Sequence, residues 1–124
     1  MHRGLIVVGH GARDSSWREP FDALAARLRA VAPATPLRLA FLELMEPDLE
    51  GAAAELIGEG VDAILIVPIF LGQGGHLRRD LTELLGALRR SHPHVAFECV
   101  RAAGEDRDVL EALVRYCIRS LESG

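Results

Sequence analysis

Hydrophobic positions along this chain fall into two textures. There are short, wholly apolar runs, and there are longer stretches in which apolar residues recur every three or four positions. Leu5-Ile6-Val7-Val8 is the first short run, uninterrupted and rich in β-branched residues, as in a strand buried on both faces. Residues 16–31 follow with helical spacing, placing Phe21, Leu24, Leu28 and Val31 on one face. Ser16 and Glu19 have the spacing of a capping box, and Pro20 equally suits the first helical turn. Pro33 and Pro36 end the helix.

The textures then repeat. Residues 37–42 read as a strand, and residues 47–59 as a helix with Gly60 as its C-terminal cap. Residues 63–67, AILIV, form the most apolar stretch and are the predicted central strand. Residues 76–90 place Leu77, Leu81, Leu84 and Leu88 on one helical stripe, and residues 95–100 read as a fourth strand. A last helix over 106–121 is expected to turn Leu110, Leu113, Val114, Cys117 and Leu121 inward. The order βαβαβαβα predicts an α/β fold: a four-stranded parallel sheet with helices on both faces and right-handed crossovers. No linker or low-complexity segment divides it, so residues 1–124 read as a single domain. A sheet this small leaves edges to cover, which points to a partner chain.

Composition narrows the function classes. Hydrophobic residues make up 49% of the 124 residues and charged residues 26%, which is globular rather than disordered. A formal net charge of −4 carries no footprint for nucleic acid or an acidic membrane surface. Any anion must therefore be held by a local group of arginines. Cys99 and Cys117 have no metal-ligating spacing and read as small buried hydrophobes in a reducing compartment. The apolar run before Gly9-His10-Gly11 is too short for a signal peptide or a membrane span, so a cytoplasmic protein is expected.

Ligands of open parallel sheets bind beyond the carboxyl ends of the strands. After the first strand comes Gly9-His10-Gly11-Ala12-Arg13-Asp14. The second strand ends at Glu43, and the third is followed by a loop running through Gly72-Gln73-Gly74-Gly75-His76. Two imidazoles and a carboxylate thus occupy equivalent places in successive β-α units and should share one rim. Such a set suits a divalent transition metal and does not choose among cobalt, iron, nickel and zinc. The lack of cysteine ligands argues against a closed structural zinc site. Gly9, Gly11, Gly74 and Gly75 would let the backbone turn sharply and a flat ligand approach closely.

Arg78 and Arg79 fall in the first turn of a helix, where the dipole disfavours cations, and a local rule broken at a candidate site points to function. With Arg13 and the helix amides they could hold carboxylates. Asp14 and Asp80 are expected to cap helices or pair with these arginines, and Trp17 to pack on the first helix. His2, His92 and His94 lie away from this rim and are read as having no functional role.

The segments VVGHGARD, FLELMEPDL and VPIFLGQGGHLRRDL resemble the small sirohydrochlorin chelatases of the CbiX and SirB type, over nearly the whole chain. The resemblance implies a class II chelatase half-unit that acts as a homodimer. It also implies ATP-independent insertion of Co2+, Fe2+ or Ni2+ into sirohydrochlorin, in cobalamin or siroheme biosynthesis, with no organic cofactor. The metal-binding residues it implies are His10, Glu43 and His76. Two features depart from the family pattern: Ala12 stands where a serine is common, and there is no histidine-rich tail.

In the mechanism that follows, His10 is ligand and base, His76 is second ligand and proton acceptor, and Glu43 orients the metal. Arg13, Arg78 and Arg79 meet the carboxylates of the ring edge, over Gly74 and Gly75. Two rival readings stand beside this one. A histidine phosphatase needs an arginine directly before its histidine, where this chain has Gly9. A metal-binding or metal-delivery protein of the same fold would use the same three ligands, and only macrocycle binding separates it from a chelatase.

Overall fold

The computed structural model describes residues 2–123. The predicted alternation is present. β1 (Arg3–Gly9) leads through a 3-10 turn at Ser15–Arg18 to α1 (Glu19–Val31), and β2 (Leu37–Phe41) leads to α2 (Leu49–Gly58). β3 (Ala63–Pro68) is followed by α3 (Gly75–Ser91), and β4 (Ala96–Cys99) by a second 3-10 turn at Ala103–Glu105 and then α4 (Arg107–Ser123). The strands form one parallel sheet in the order β2-β1-β3-β4, which places β1 and β3 at its centre. AILIV is therefore an inner strand, as its composition requires.

Alternation along the strands divides the core into two layers. On one face, Ile6, Val8, Ala40, Ile64 and Ile66 pack against Ala52, Ala53 and Leu56 of α2 and Leu81 and Leu88 of α3. Gly4 on β1 lets α2 lie close: a Cβ added there would sit 3.1 Å from Leu56 Cδ1. On the other face, Val7, Leu37, Leu39 and Phe41 meet Phe21 and Ala25 of α1. Trp17 joins this layer, its ring centroid 4.9 Å from that of Phe21, so it packs beside the first helix as expected.

Local chemistry sets the helix ends. Asp48 caps α2, its side chain accepting from the Gly51 N–H at 2.8 Å, and Gly60 follows the helix with a φ of 94°. The expected capping box on α1 does not form. Asp14 instead accepts from both the backbone N–H and the hydroxyl of Ser16 and holds the preceding 3-10 turn, while Pro20 sits in the first turn of α1. Those two hydrogen bonds hold the Asp14 carboxyl below its ordinary range.

Several inward residues were misplaced by periodicity. Val31, the last residue of α1, is 80% exposed, and the buried residues of α1 are Phe21 and Ala25. Leu84 opens toward a cleft, whereas its neighbour Leu85 packs on the core. The largest correction concerns α4. None of its residues is buried, and Leu110, Leu113, Val114 and Leu121 are exposed. Its apolar stripe is real, but periodicity reports which residues share a face and not what covers that face. Of the cysteines expected to be buried, Cys99 is half-buried on the edge strand and packs against the core, whereas Cys117 is exposed on α4. Desolvation raises the Cys99 thiol above its ordinary value, partly opposed by Arg89.

Candidate functional site

Parallel register positions the first two candidate residues. Gly9 pairs with Phe41 at the ends of β1 and β2, so the residues just beyond emerge side by side. The pairing continues into the loops: the His10 carbonyl accepts from the N–H groups of Leu42 and Glu43 at 3.1 and 3.0 Å. His10 Nε2 then lies 3.4 Å from Glu43 Oε1, with both side chains more than half exposed. The His10 ring also stands edge-on to Phe70, centroids 6.4 Å apart.

The glycines around His10 are required by packing. A Cβ on Gly9 would stand 2.8 Å from the Phe21 ring. Gly11 has a φ of 106°, and its Cβ would fall 1.8 Å from the Glu43 carbonyl oxygen. Gly74 and Gly75 differ. Neither has a positive φ, a Cβ on Gly74 would meet nothing within 4 Å, and the nearest atom to one on Gly75 is Arg79 Nη1 at 3.7 Å. They leave open space over the rim and use no unusual conformation.

His76 belongs to the first turn of α3 and not to a loop tip. Its Nε2 lies 3.4 Å from Asp80 Oδ2, one turn on, and its side chain is 85% exposed. Asp80 therefore pairs with His76, where an arginine or a helix cap was expected. The i,i+4 spacing of His76 and Asp80 was the available signal. A cleft of about 350 Å³ is lined by His10, Glu43, Leu77, Asp80, Glu83 and Leu84, among others. Asp80 is thus the link between two arrangements: it lines the cleft of His10 and Glu43, and it touches His76 just outside. Among the described residues, no three His, Cys, Asp or Glu side chains converge on one point. The chain brings His10 and Glu43 together and leaves His76 apart.

Three carboxylates, Glu43, Asp80 and Glu83, give the cleft a field that attracts cations. Cationic groups stand on its outer rim. Arg78 and Arg79 border an adjoining depression with Gly75, and Arg78 reaches Glu105 at 3.6 Å. Arg13 and Arg79 make no ion pair among the described residues and are open to an anion. Gln73, in the loop before α3, holds its Oε1 buried and without a hydrogen-bond partner. His92 lies at the other end of α3, paired with Glu50 at 3.3 Å, and takes no part in the site.

Comparison with known proteins places these features in context. A sequence profile described as CbiX matches residues 4–119. A sirohydrochlorin cobaltochelatase from Methanopyrus kandleri is 33% identical over 66% of this chain and 57% of its own length. A sirohydrochlorin ferrochelatase from Bacillus subtilis is 26% identical over 91% of this chain and 43% of its own. The chain thus spans about three fifths or less of the length of these two curated relatives. Among solved structures, a cobalamin (vitamin B12) biosynthesis CbiX protein from Marinobacter aquaeolei VT8 superimposes with a TM-score of 0.86 and 29% identity, covering 98% of this chain and 99% of the other. The chelatase SirB from Bacillus subtilis subspecies spizizenii, in complex with cobalt, gives a TM-score of 0.81 at 25% identity, over 93% of this chain and 49% of its own.

Proposed function

This chain belongs to the CbiX family, and from that premise we propose that it inserts a divalent metal, Co2+ or Fe2+ and by the same ligand chemistry Ni2+, into sirohydrochlorin without ATP. The observation that carries the reading is the His10–Glu43 pair, 3.4 Å apart on neighbouring strand ends at the mouth of an acidic cleft. An imidazole nitrogen and a carboxylate oxygen are suitable donors for each of these ions. The relatives named for cobalt and for iron both support chelation as the activity, and the choice between the metals is left to experiment.

In the proposed reaction the metal enters as substrate, held by His10 and Glu43. The macrocycle lies over Gly74 and Gly75, where added side chains would otherwise project. Its edge carboxylates meet Arg13, Arg78 and Arg79 by charge-assisted hydrogen bonds. Metal insertion displaces two pyrrole protons, and imidazole exchanges protons near neutrality. We assign proton acceptance to His10 and His76. His76, exposed and oriented by Asp80, would act from the ring side and complete the ligand set once the macrocycle is bound. Holding must be loose, because an ion bound too tightly in the ground state is not passed on.

Two copies of the chain would supply the surroundings that one copy lacks, and we propose a homodimer as the working form. Two free thiols are compatible with a reducing, cytoplasmic setting, and no described helix is long and apolar enough to cross a membrane.

Anaerobic absorption spectroscopy tests the proposal. Sirohydrochlorin mixed with Co2+, Fe2+ or Ni2+ in turn should change to the metallated spectrum faster with the protein than without it. Equal rates for all three metals, with and without protein, would leave metal binding or delivery as the activity. The separation of His76 from the His10–Glu43 pair is the observation that favours that second reading.

A further inference from the structure

We propose that Arg101, beyond the end of β4, is a further macrocycle-binding residue, and that Glu105 is its positioning residue. One carboxylate yokes Arg101 to Arg78 as a two-point clamp for neighbouring carboxylates on the ring edge. This deepens the reading of the rim as a sirohydrochlorin site and rests on it.

Topology brings Arg101 to the rim. Cys99 at the end of β4 is level with Ile66, and the Val100 N–H donates to the Ile66 carbonyl at 3.0 Å. Arg101 therefore emerges beyond the carboxyl ends of the strands, at the same end of the sheet as His10 and Glu43. The strand order β1-β3-β4 sets it two strand spacings from His10, about 10 Å across the sheet. In the proposed reaction a metal at His10 lies at the centre of the macrocycle, so the edge carboxylates fall to the sides, over neighbouring strand ends. Arg78 follows β3 and Arg101 follows β4, and each stands on that side.

Glu105 stands between the two arginines. Its Oε1 lies 3.6 Å from Arg78 Nη2, and its Oε2 lies 3.6 Å from Arg101 Nε. The Glu105 side chain is only 25% exposed, whereas those of Arg78 and Arg101 are 64% and 81% exposed. Its backbone is pinned: the Glu105 N–H donates to the carbonyl of buried Ala102 at 2.9 Å, and Gly104 donates to the Phe70 carbonyl at 2.8 Å. A spacing of 3.6 Å makes an ion pair and not a hydrogen bond, so the N–H groups of both guanidinium forks stay open to acceptors. One carboxylate does not neutralise two guanidiniums. Asp106, next in the chain, faces the helix amides instead, accepting from the N–H groups of Asp108 and Val109 and capping α4. A surplus positive charge therefore faces solvent at this corner, beside a cleft of three carboxylates in a chain of net charge −4. Its complement is an anion with acceptors at two points, as the carboxylates of a ring edge supply.

Anaerobic titration with metal-free sirohydrochlorin, followed by absorption, tests the clamp. Arg101→Ala should raise Kd and KM about tenfold, keep kcat within about twofold and leave cobalt affinity unchanged. Arg101→Lys keeps the charge without the fork and should recover part of the loss. Arg27→Ala is the control: it removes the same charge from an exposed position on α1 and should stay within about twofold of wild type. The gap between Arg101→Ala and wild type should narrow as salt rises. Glu105 is tested by combining variants. In the wild-type background the losses from Arg78→Ala and Arg101→Ala should be non-additive by at least about threefold, because removing either arginine leaves Glu105 to neutralise the other. In a Glu105→Gln background the two losses should be independent. Circular dichroism checks folding, and Arg101→Gln carries the same expectation should alanine unfold the chain. A wild type that does not bind sirohydrochlorin would remove the chelatase reading itself. A wild type that binds, with Arg101→Ala no weaker than Arg27→Ala, would overturn the clamp. Additive losses in the wild-type background would overturn the positioning role of Glu105.

Discussion

Gly11→Ala should damage the candidate site through the backbone and not through any ligand. Alanine at a φ of 106° is strained, at about 1–2 kcal/mol for a left-handed conformation. Its Cβ would also start 1.8 Å from the Glu43 carbonyl oxygen and must retreat beyond about 3.0 Å, so the two strand-end loops separate by more than 1 Å. That movement breaks the hydrogen bonds from the Leu42 and Glu43 N–H groups to the His10 carbonyl, each worth about 1 kcal/mol net. Together these losses amount to about 3–4 kcal/mol, or a fall in melting temperature of roughly 10–20 °C for a domain of this size. The same displacement moves His10 away from Glu43, and an ångström of misplacement is worth about 100-fold in turnover. Gly72→Ala is the control, since a Cβ there meets nothing within 4 Å, and it should stay within about 0.5 kcal/mol of wild type. Thermal denaturation and cobalt titration of the two variants would decide. Wild-type stability in Gly11→Ala, or equal losses in both, would refute the argument.

His10→Ala should weaken divalent-metal binding about tenfold or more in calorimetric titration, whereas His76→Ala should lower turnover more than metal affinity, because His76 stands outside the His10–Glu43 pair. Replacing Arg78 and Arg79 together with alanine should raise the KM for sirohydrochlorin about tenfold and leave metal affinity unchanged; a loss of metal affinity with normal macrocycle binding would defeat the assignment. Burial raises the Cys99 thiol above its ordinary 9.0, so the native state holds its proton where the unfolded chain begins to lose it. The stability this contributes is full below the unfolded value and falls as pH rises through the folded one. Alkylation of Cys99 in the native protein should therefore remain slower than in the denatured chain well into alkaline pH.

Strand texture was the most legible part of the chain. Uninterrupted runs such as Leu5–Val8 and Ala63–Val67 read as inner strands, and both are inner strands of the sheet, although Leu65 and Val67 on one face of β3 are only half-buried. The common rim of His10 and Glu43 followed from the rule that parallel strands end together, and register confirmed their adjacency. His76 was less legible. Its place after the third strand was clear, but whether it closes on the other two depends on loop and helix geometry that residue spacing does not encode. Asp80, expected to cap a helix or pair with an arginine, instead meets His76, because helix geometry brings together residues one turn apart. α4 shows a different limit. Its stripe was read correctly and its burial was not, because a hydrophobic face states a need for cover without saying which surface supplies it.

The hydrogen bond from Gly104 to the Phe70 carbonyl ties the root of α4 to the loop after β3. Phe70 lies in the loop that leads to His76, and its ring stands edge-on to His10, while Glu105 next to Gly104 reaches both Arg78 and Arg101. The root of α4 and the candidate site therefore share one short stretch of main chain. Coupling through such a joint is reciprocal: a ligand that steadies residues 70–76 more in one state of α4 than another shifts α4 by the same free energy. Were such a difference present, occupancy at the rim and the contacts of the terminal helix would be two readings of one equilibrium.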